Sequence, residues 1–299
     1  MKLSIIIPSY GRAKILDDCL NSINKIKNEL KNYEIIVVNN NNNLTIEKET
    51  SKFCKKYDLN IIEITPHKGV GSIGARNLGI KKSRGDILIF FDDDTLIQKN
   101  YFFELIKTYK DKHVGAVGGA EIKEQKDSIF HKILFKFRKT GDITWSGEII
   151  SNFSPNIKNS LKVKHLHGSN FSIRRDIIKK IGLMDEKMMG HYRDETEFIY
   201  RVYELGYDVI FNPECRVIHT ATNVGGNISP DKKKEWAYWY HRNTSYFFFK
   251  HLYKANKLKL FCYLIREFFN SIIRTIIYKN PYYITQISQI RVNYLNLKQ

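Results

Sequence analysis

The chain of 299 residues predicts an α/β protein: a mostly parallel sheet with helices on both faces, followed by an amphipathic helical tail. Three observations predict it. Short continuous apolar runs recur through the first third of the chain, as in strands covered on both faces. These runs alternate with segments whose apolar residues have helical spacing, the pattern of parallel strands joined by helices. The last seventy residues change character: residues 230–299 hold nine lysines and four arginines against three acids, a net +10 of the chain's +18, and 17 of its 39 aromatics.

Residues 3–7 form an apolar run ended by Pro8, the first strand. Residues 15–30 place Ile15, Cys19, Ile23, Ile26 and Leu30 on one helical face. Residues 34–38 are a second strand running into the asparagines 39–43. Residues 46–57 suit a helix and 60–64 a third strand. A glycine-punctuated stretch, 69–74, leads into a helix over 75–82. Residues 86–91 make a fourth strand that ends at Asp92-Asp93-Asp94. Further on, 114–121 reads as a glycine-bearing strand and 142–150 as a hairpin with Trp145 and Gly147 near its turn. Residues 151–164 read as a polar loop, and 194–205 as a helix stopped by Gly206. Residues 207–211 and 215–219 read as two strands, and the chain is helical from Lys232.

Composition excludes several classes. With 27% charged and 42% hydrophobic residues the chain is neither collagen-like, mucin-like nor wholly disordered. Its four cysteines lie far apart with no CxxC pair, which argues against a zinc ribbon or disulfide framework and suits a reducing compartment. The N-terminal apolar stretch is too short for a signal-peptide core. No run of about 18 uncharged apolar residues is present to span a bilayer.

Ligands of parallel α/β sheets bind at the carboxyl ends of the strands. Pro8, the asparagine run and the aspartate run all fall there. Three adjacent carboxylates repel one another unless a cation offsets them, and Mg²⁺ or Mn²⁺ commonly bridges carboxylates to substrate phosphates; a solvated turn capping the next helix is the simpler reading. Gly74-Ala75-Arg76-Asn77 precedes the triplet. Arg76 there suits a diphosphate and Asn77 a nucleotide or sugar, or the segment merely opens a helix; it is neither a P-loop nor a GxGxxG fingerprint. Asp194, Glu195 and Glu197 open a helix, where acids complement the dipole and Glu197 can pair with Arg201. In the company of the triplet, one of them is a candidate general base. His219 ends its strand, placed either for structure or as an imidazole ligand for Mn²⁺. His167 is a weaker acceptor-side or packing candidate.

These segments carry a resemblance. SIIIPSYGR (4–12), GARNLGIKKSRGDILIFFDDD (74–94), HGSNFSIRRDIIKKIGLMDE (167–186), YRDETEFIYRVYELGYDVIFNPECRVIH (192–219) and YHRNTSYFFFKH (240–251) occur in the order found in family-2 glycosyltransferases of the GT-A fold, which the chain resembles over residues 3–251. The resemblance implies that Pro8, Ser9, Tyr10 and Arg12 line a nucleotide site, and that Arg76 and Asn77 face the donor with Asp92 and Asp93. It implies that Asp94 and His219, with Asp92, hold Mn²⁺ or Mg²⁺. Asn39 stands where many members carry the aspartate that reads the nucleotide. Glu195 falls at the position of the general base, usually an aspartate, with Asp194 as rival.

The implied activity is transfer of a sugar from a nucleoside-diphosphate sugar to an acceptor hydroxyl, a lipid-linked or cell-surface glycan, with inversion. A retaining transferase, or a silent nucleotide-sugar or membrane-surface adaptor, is the alternative. The implied organisation is a catalytic unit over 1–229, its donor and metal half 1–113 and acceptor half 114–229, then a tail over 230–299. Residues 261–277 read as a basic amphipathic helix lying in the interface on the inner face of the cell membrane, or as part of the core or of an oligomer contact. No nucleic-acid motif accompanies the basic charge.

Overall fold

Side-chain alternation along the first strand, β1 (Leu3–Ser9), feeds two separate cores. Leu3, Ile5 and Ile7 enter one and Ile6 the other. Buried on both faces, this strand needs helices on both, and the sequence supplies them. In the computed structural model residues 1–67, 69–122, 138–188, 190, 192–220 and 233–296 are described.

The chain continues through α1 (Ala13–Lys25), β2 (Tyr33–Asn39), α2 (Leu44–Cys54), β3 (Ile61–Ile64), α3 (Gly71–Lys82) and β4 (Ile87–Phe91). Then come β5 (Thr95–Ile97), α4 (Tyr101–Thr108), β6 (Val114–Ile122), β7 (Leu161–Val163), β8 (Asn170–Arg174), α5 (Arg175–Ile181), α6 (Asp194–Glu204) and β9 (Asp208–His219). The strands form one sheet in the order β3-β2-β1-β4-β8-β6-β9-β5, with β7 also on β9. Pairing is parallel from β3 to β4 and between β6 and β9, and antiparallel where β8, β5 and β7 join. Helices α1 and α4 pack on one face, α3, α5 and α6 on the other.

The structure departs from the sequence reading at several elements. The expected strands over 207–211 and 215–219 are one strand, β9. Its register on β6 shifts between Gly119 and Glu121, and Pro213, which cannot donate to a ladder, lies in that irregular stretch. A Cβ on Gly119 would stand 1.7 Å from the Cys215 carbonyl oxygen, so the two strands meet there only because residue 119 is glycine. The stretch expected as loop contains β7. Helix α1 stops at Lys25 and tightens into a 3₁₀ turn, Lys27–Glu29. Helix α3 begins at Gly71, taking in glycines expected to precede it. Strands β5 and β8 and helices α4 and α5 had no counterpart in the sequence reading.

The hairpin over 142–150 is present, bridged at Ile143 and Ile149. Gly147 has φ +85°, and a Cβ there would meet the Phe248 ring at 2.7 Å. That contact belongs to the C-terminal helices: α7 (Lys233–Phe247), a π-helical turn (Phe248–Tyr253), α8 (Lys257–Tyr278), α9 (Tyr282–Thr285) and α10 (Gln289–Asn296). The expected boundary at 229 and 230 lies outside the described residues. These helices are fastened to α6 by a buried charge cluster. Glu197, fully buried, lies 2.9 Å from Arg201, 2.7 Å from Lys250 and 3.1 Å from His251. Aromatic packing adds to it, with Phe248 stacked on Tyr263 at 3.9 Å and Tyr200 edge-on to Phe247.

Helix α8 is turned opposite to the usual sense. Its buried positions are Tyr263, Glu267 and Ser271, and its apolar side chains face outward. No helix among the described residues is long and apolar enough to cross a membrane. All four cysteines are free. Cys19, Cys54 and Cys215 are buried, and burial raises each thiol, that of Cys54 to about 12. Cys262 on α8 is half-buried.

Candidate active site

Parallel pairing brings the ends of β1, β2 and β4 to one edge of the sheet. Pro8 is in register with Val38 of β2 but lies beyond Ile6, the last residue of β1 paired with β4. There the strand parts from β4 while staying paired with β2 through Ser9; Ser9 is buried, Tyr10 is 41% exposed and Gly11 takes φ +74°. The asparagines after β2 tie three loops together. Asn41 accepts the Gly11 N–H, Asn40 accepts the Val70 N–H at 2.9 Å, and Asn42 that of Gly69 at 3.1 Å. Asn39 is fully buried and committed inward. It donates to the Glu63 carboxylate at 2.7 Å and the Glu47 carbonyl at 3.0 Å, and accepts from Asn41 at 2.6 Å.

The aspartates follow β4. Strand β5 then pairs antiparallel with β9, Thr95 opposite His219, which sets the imidazole beside the triplet. His219 Nε2 lies 3.1 Å from Asp94 Oδ1, and the Asp94 carbonyl accepts from the Thr220 N–H at 3.0 Å. Ligand atoms of Asp92, Asp94 and His219 all fall within 4.8 Å of one another, the one such trio of potential metal ligands among the described residues. Two arginines supply positive charge. Arg12 pairs with Asp93 and, at 2.9 Å, with Asp94. Arg76, almost buried, donates to Asp92 at 2.7 Å, to Asp194 at 3.1 Å and to the Gly168 carbonyl at 3.2 Å.

Each carboxylate answers to its surroundings. Burial raises Asp93 to about 6 against the pull of Arg12, and burial likewise raises Asp92 against Arg76. Asp94 is also desolvated, yet His219 and Arg12 hold it below the usual range. Burial works to lower His219, but Asp94 more than compensates and raises it. The trio suits a hard divalent cation: two carboxylates and an imidazole whose ligand atoms lie within 4.8 Å of one another are an appropriate donor set.

Across from the aspartates, α6 opens with Asp194 and Glu195. Asp194 is buried and engaged by Arg76. Among the described residues no ion pair engages Glu195, and the charge of Arg193 only partly offsets what raises it. Burial, and after it the charge of Asp194, raises its carboxyl to about 8. Its carboxylate packs on Gly168, where a Cβ would come within 3.3 Å of it.

The structure therefore brings Arg12, Arg76, Asp92, Asp93, Asp94, His219, Asp194 and Glu195 into one connected group. It does not bring Asn77 to the donor side. Asn77 is buried and bonded to the Met184 backbone through both ends of its amide, and to Glu186 at 3.1 Å. It thereby ties α3 to the segment that follows α5. Asn170 of the HGSN segment is likewise internal, bonded to Tyr101 and the Cys215 carbonyl. One acid near the site had no place in the sequence reading. Glu121, at the end of β6, accepts from Ser169, stands 3.9 Å from His167 and helps to raise His219. A lone acid closing a glycine-bearing strand carries no sequence signal of its own.

With this geometry in view, the chain matches the family model for glycosyl transferase family 2 over residues 4–182, more than half its length. The chain belongs to that family. Among curated relatives of the family, it is 28% identical over 254 residues to a Bacillus subtilis protein named "Probable glycosyltransferase YdaM", covering 81% of this chain and 54% of that one. It therefore spans about half the length of that relative. Among solved structures, mannosyltransferase PcManGT from Pyrobaculum calidifontis in complex with GDP-Man and Mn²⁺ superposes with a TM-score of 0.60 at 15% identity, covering 98% of this chain and 86% of that one. Residues 1–349 of TarS from S. aureus superpose with a TM-score of 0.58 at 18% identity, covering 97% and 80%. The GT-A fold is thus shared, and the expected family and fold are borne out.

Proposed function

We propose that this chain transfers a hexosyl group from a nucleoside-diphosphate sugar to an acceptor hydroxyl, with inversion at the anomeric carbon. One observation carries the reading: a trio suited to a divalent cation lies at one mouth of the sheet, and Arg76 joins its Asp92 to Asp194, the neighbour of a carboxyl held well above its ordinary range. Asp94 and His219, with Asp92, would hold Mn²⁺ or Mg²⁺. A bound cation there would neutralise the charge developing on the departing nucleoside diphosphate.

The chain's own groups do the rest. Tyr10, exposed beside the end of β1, offers a ring to the base, and Pro8, Ser9 and Arg12 complete that wall. Asn39 acts indirectly, by shaping the loop after β2. Arg12 and Asp93 form a charge pair that orders the donor pocket, and Arg76 holds Asp92 toward the donor. Glu195 takes the proton from the acceptor hydroxyl. Its raised basicity suits it to that task near neutral pH. Asp194, clamped by Arg76, keeps the first turn of α6 in place. In this reading residues 1–113 serve the donor and 114–229 the acceptor, which is a lipid-linked or cell-surface glycan met at the inner face of the membrane. The GDP-Man and Mn²⁺ of the similarly folded mannosyltransferase support this reading by analogy of fold.

The test is a panel of nucleotide sugars, each scored for thermal stabilisation with and without Mn²⁺, since a ligand of the folded state raises its melting point. Turnover of the stabilising donor is then followed by assigning the product's anomeric configuration. Metal-dependent stabilisation and an inverted product support the proposal. Stabilisation indifferent to metal, or a retained product, overturns the corresponding part.

A further inference from the structure

We infer that the outward face of α8 is a lipid-docking surface, and that the helix lies flat in the interface of an anionic bilayer. At 3.6 residues per turn, Leu258, Phe261, Ile265, Phe268 and Ile276 fall along one side of the helix. Phe261 is 60% exposed, Phe268 52% and Ile276 71%, whereas Glu267 on the opposite side is 1% exposed. A helix in an ordinary soluble domain turns its apolar stripe to the core. Here the core takes the polar stripe instead, where Glu267 meets Arg266 at 2.7 Å and Ser271 lies beside His241. Over 22 residues the apolar face runs roughly 33 Å, far longer than a scatter of single exposed side chains.

Charge selects the occupant. From His251 onward the sequence has eight basic residues and a single acid, the buried Glu267. Lys254, Lys257 and Lys279, at the two ends of α8, are exposed. A second copy of the chain would bring these like charges together around the contact, while anionic headgroups would neutralise them. Trp145, half exposed on its hairpin, lies beside Lys259 with 5.3 Å between the ammonium and the ring, an amphipathic pair of the kind favoured at headgroup depth. The helix cannot instead cross the bilayer, because its polar stripe is already spent on protein contacts. The inference does not depend on the chemistry assigned to the active site.

The experiment is co-sedimentation of the full chain with phosphatidylcholine vesicles and with vesicles enriched in phosphatidylglycerol, at low and high salt. A triple variant, Phe261→Ser with Phe268→Ser and Ile276→Ser, and a charge variant, Lys254→Gln with Lys257→Gln and Lys279→Gln, are run alongside. All six side chains are exposed, so melting temperature serves as the control for folding. The intact chain is expected to pellet with anionic vesicles and to be released by salt, as screening shortens from about 10 Å at 0.1 M to about 3 Å at 1 M. The apolar variant should bind about tenfold more weakly or worse, and the charge variant should lose its preference for anionic vesicles. Three results overturn the inference: an intact chain that stays in the supernatant at low salt, an apolar variant that pellets equally, or a solution dimer that the apolar variant dissociates.

Discussion

Arg76 and Asp194 are 118 positions apart in the chain and 3.1 Å apart in space. Because the same guanidinium also holds Asp92, it spans from the end of β4 to the start of α6. A shift of either element is thereby felt by the other. One side chain thus ties the aspartates after β4 to the acid pair that opens α6.

Asp94→Asn should abolish metal-dependent donor binding while the protein still folds. Asp94 is the carboxylate that touches both His219 and Arg12, and asparagine keeps its size while removing the anion. Calorimetric titration with Mn²⁺, alone and with a nucleotide sugar, reads this directly. Unchanged Mn²⁺ affinity would remove Asp94 from the ligand set.

Glu195→Gln should keep donor and metal binding and lower turnover by about 10² or more, the range for a lost general base. Asp194→Asn should instead weaken the clamp on Arg76, disturbing donor affinity and turnover together. Steady-state kinetics on both variants separates the roles. If Asp194→Asn alone shows the pure turnover defect, the base is Asp194.

The raised carboxyl of Glu195 has a pH signature. In the proposed role Glu195 acts as its carboxylate, so turnover should climb as pH rises toward about 8 and then level off, and Glu195→Gln should lose that limb. Stability should run the other way. The folded state holds this proton to higher pH than the unfolded chain, so ionisation costs stability as pH rises from the ordinary glutamate range through the folded value. At pH 8 the Gln variant should therefore be more stable than the native protein, and the difference should vanish at acid pH. Chemical denaturation at acid and at alkaline pH measures both ends.

Gly168→Ala should impair turnover with little change in donor binding. The added methyl would press on the Glu195 carboxylate from 3.3 Å and displace it. A kcat that falls while KM for the donor holds is the expected pattern; a change in KM alone would point to a different role for this loop.

Glu197→Leu should cost about 2 kcal/mol, because it strips a buried anion from Arg201, Lys250 and His251. Lys250 and His251 retain Asp185 and Glu204 as second partners, which moderates the loss. Urea denaturation gives the value.

How far the sequence was legible follows a physical line. The aspartates and His219 could be read because each closes a strand, and strand ends in parallel sheets converge whatever the intervening loops do. Arg76 was identified as a charge carrier, but its bond to Asp194 depends on how α6 docks, which no local pattern encodes. Asn39 and Asn77 were expected to face a ligand. Amide side chains serve a buried turn equally well, and their partners, Glu63 and Met184, are remote in sequence. Glu121 is not legible in this way, because a single acid closing a glycine-bearing strand carries no pattern. For α8 the amphipathic periodicity was plain over 261–277, yet periodicity is symmetric with respect to which face turns inward. Only the burial of Glu267 and Ser271 decides that.

The cysteines give this helix a native reporter. Burial disfavours the reactive thiolate at Cys19, Cys54 and Cys215, whereas Cys262 sits half open next to Phe261. A thiol-directed fluorophore or spin label applied to the unaltered protein should attach to that position before the others. The wild-type chain thus offers a single-site probe on the very segment whose surroundings are in question, with no engineered cysteine background required.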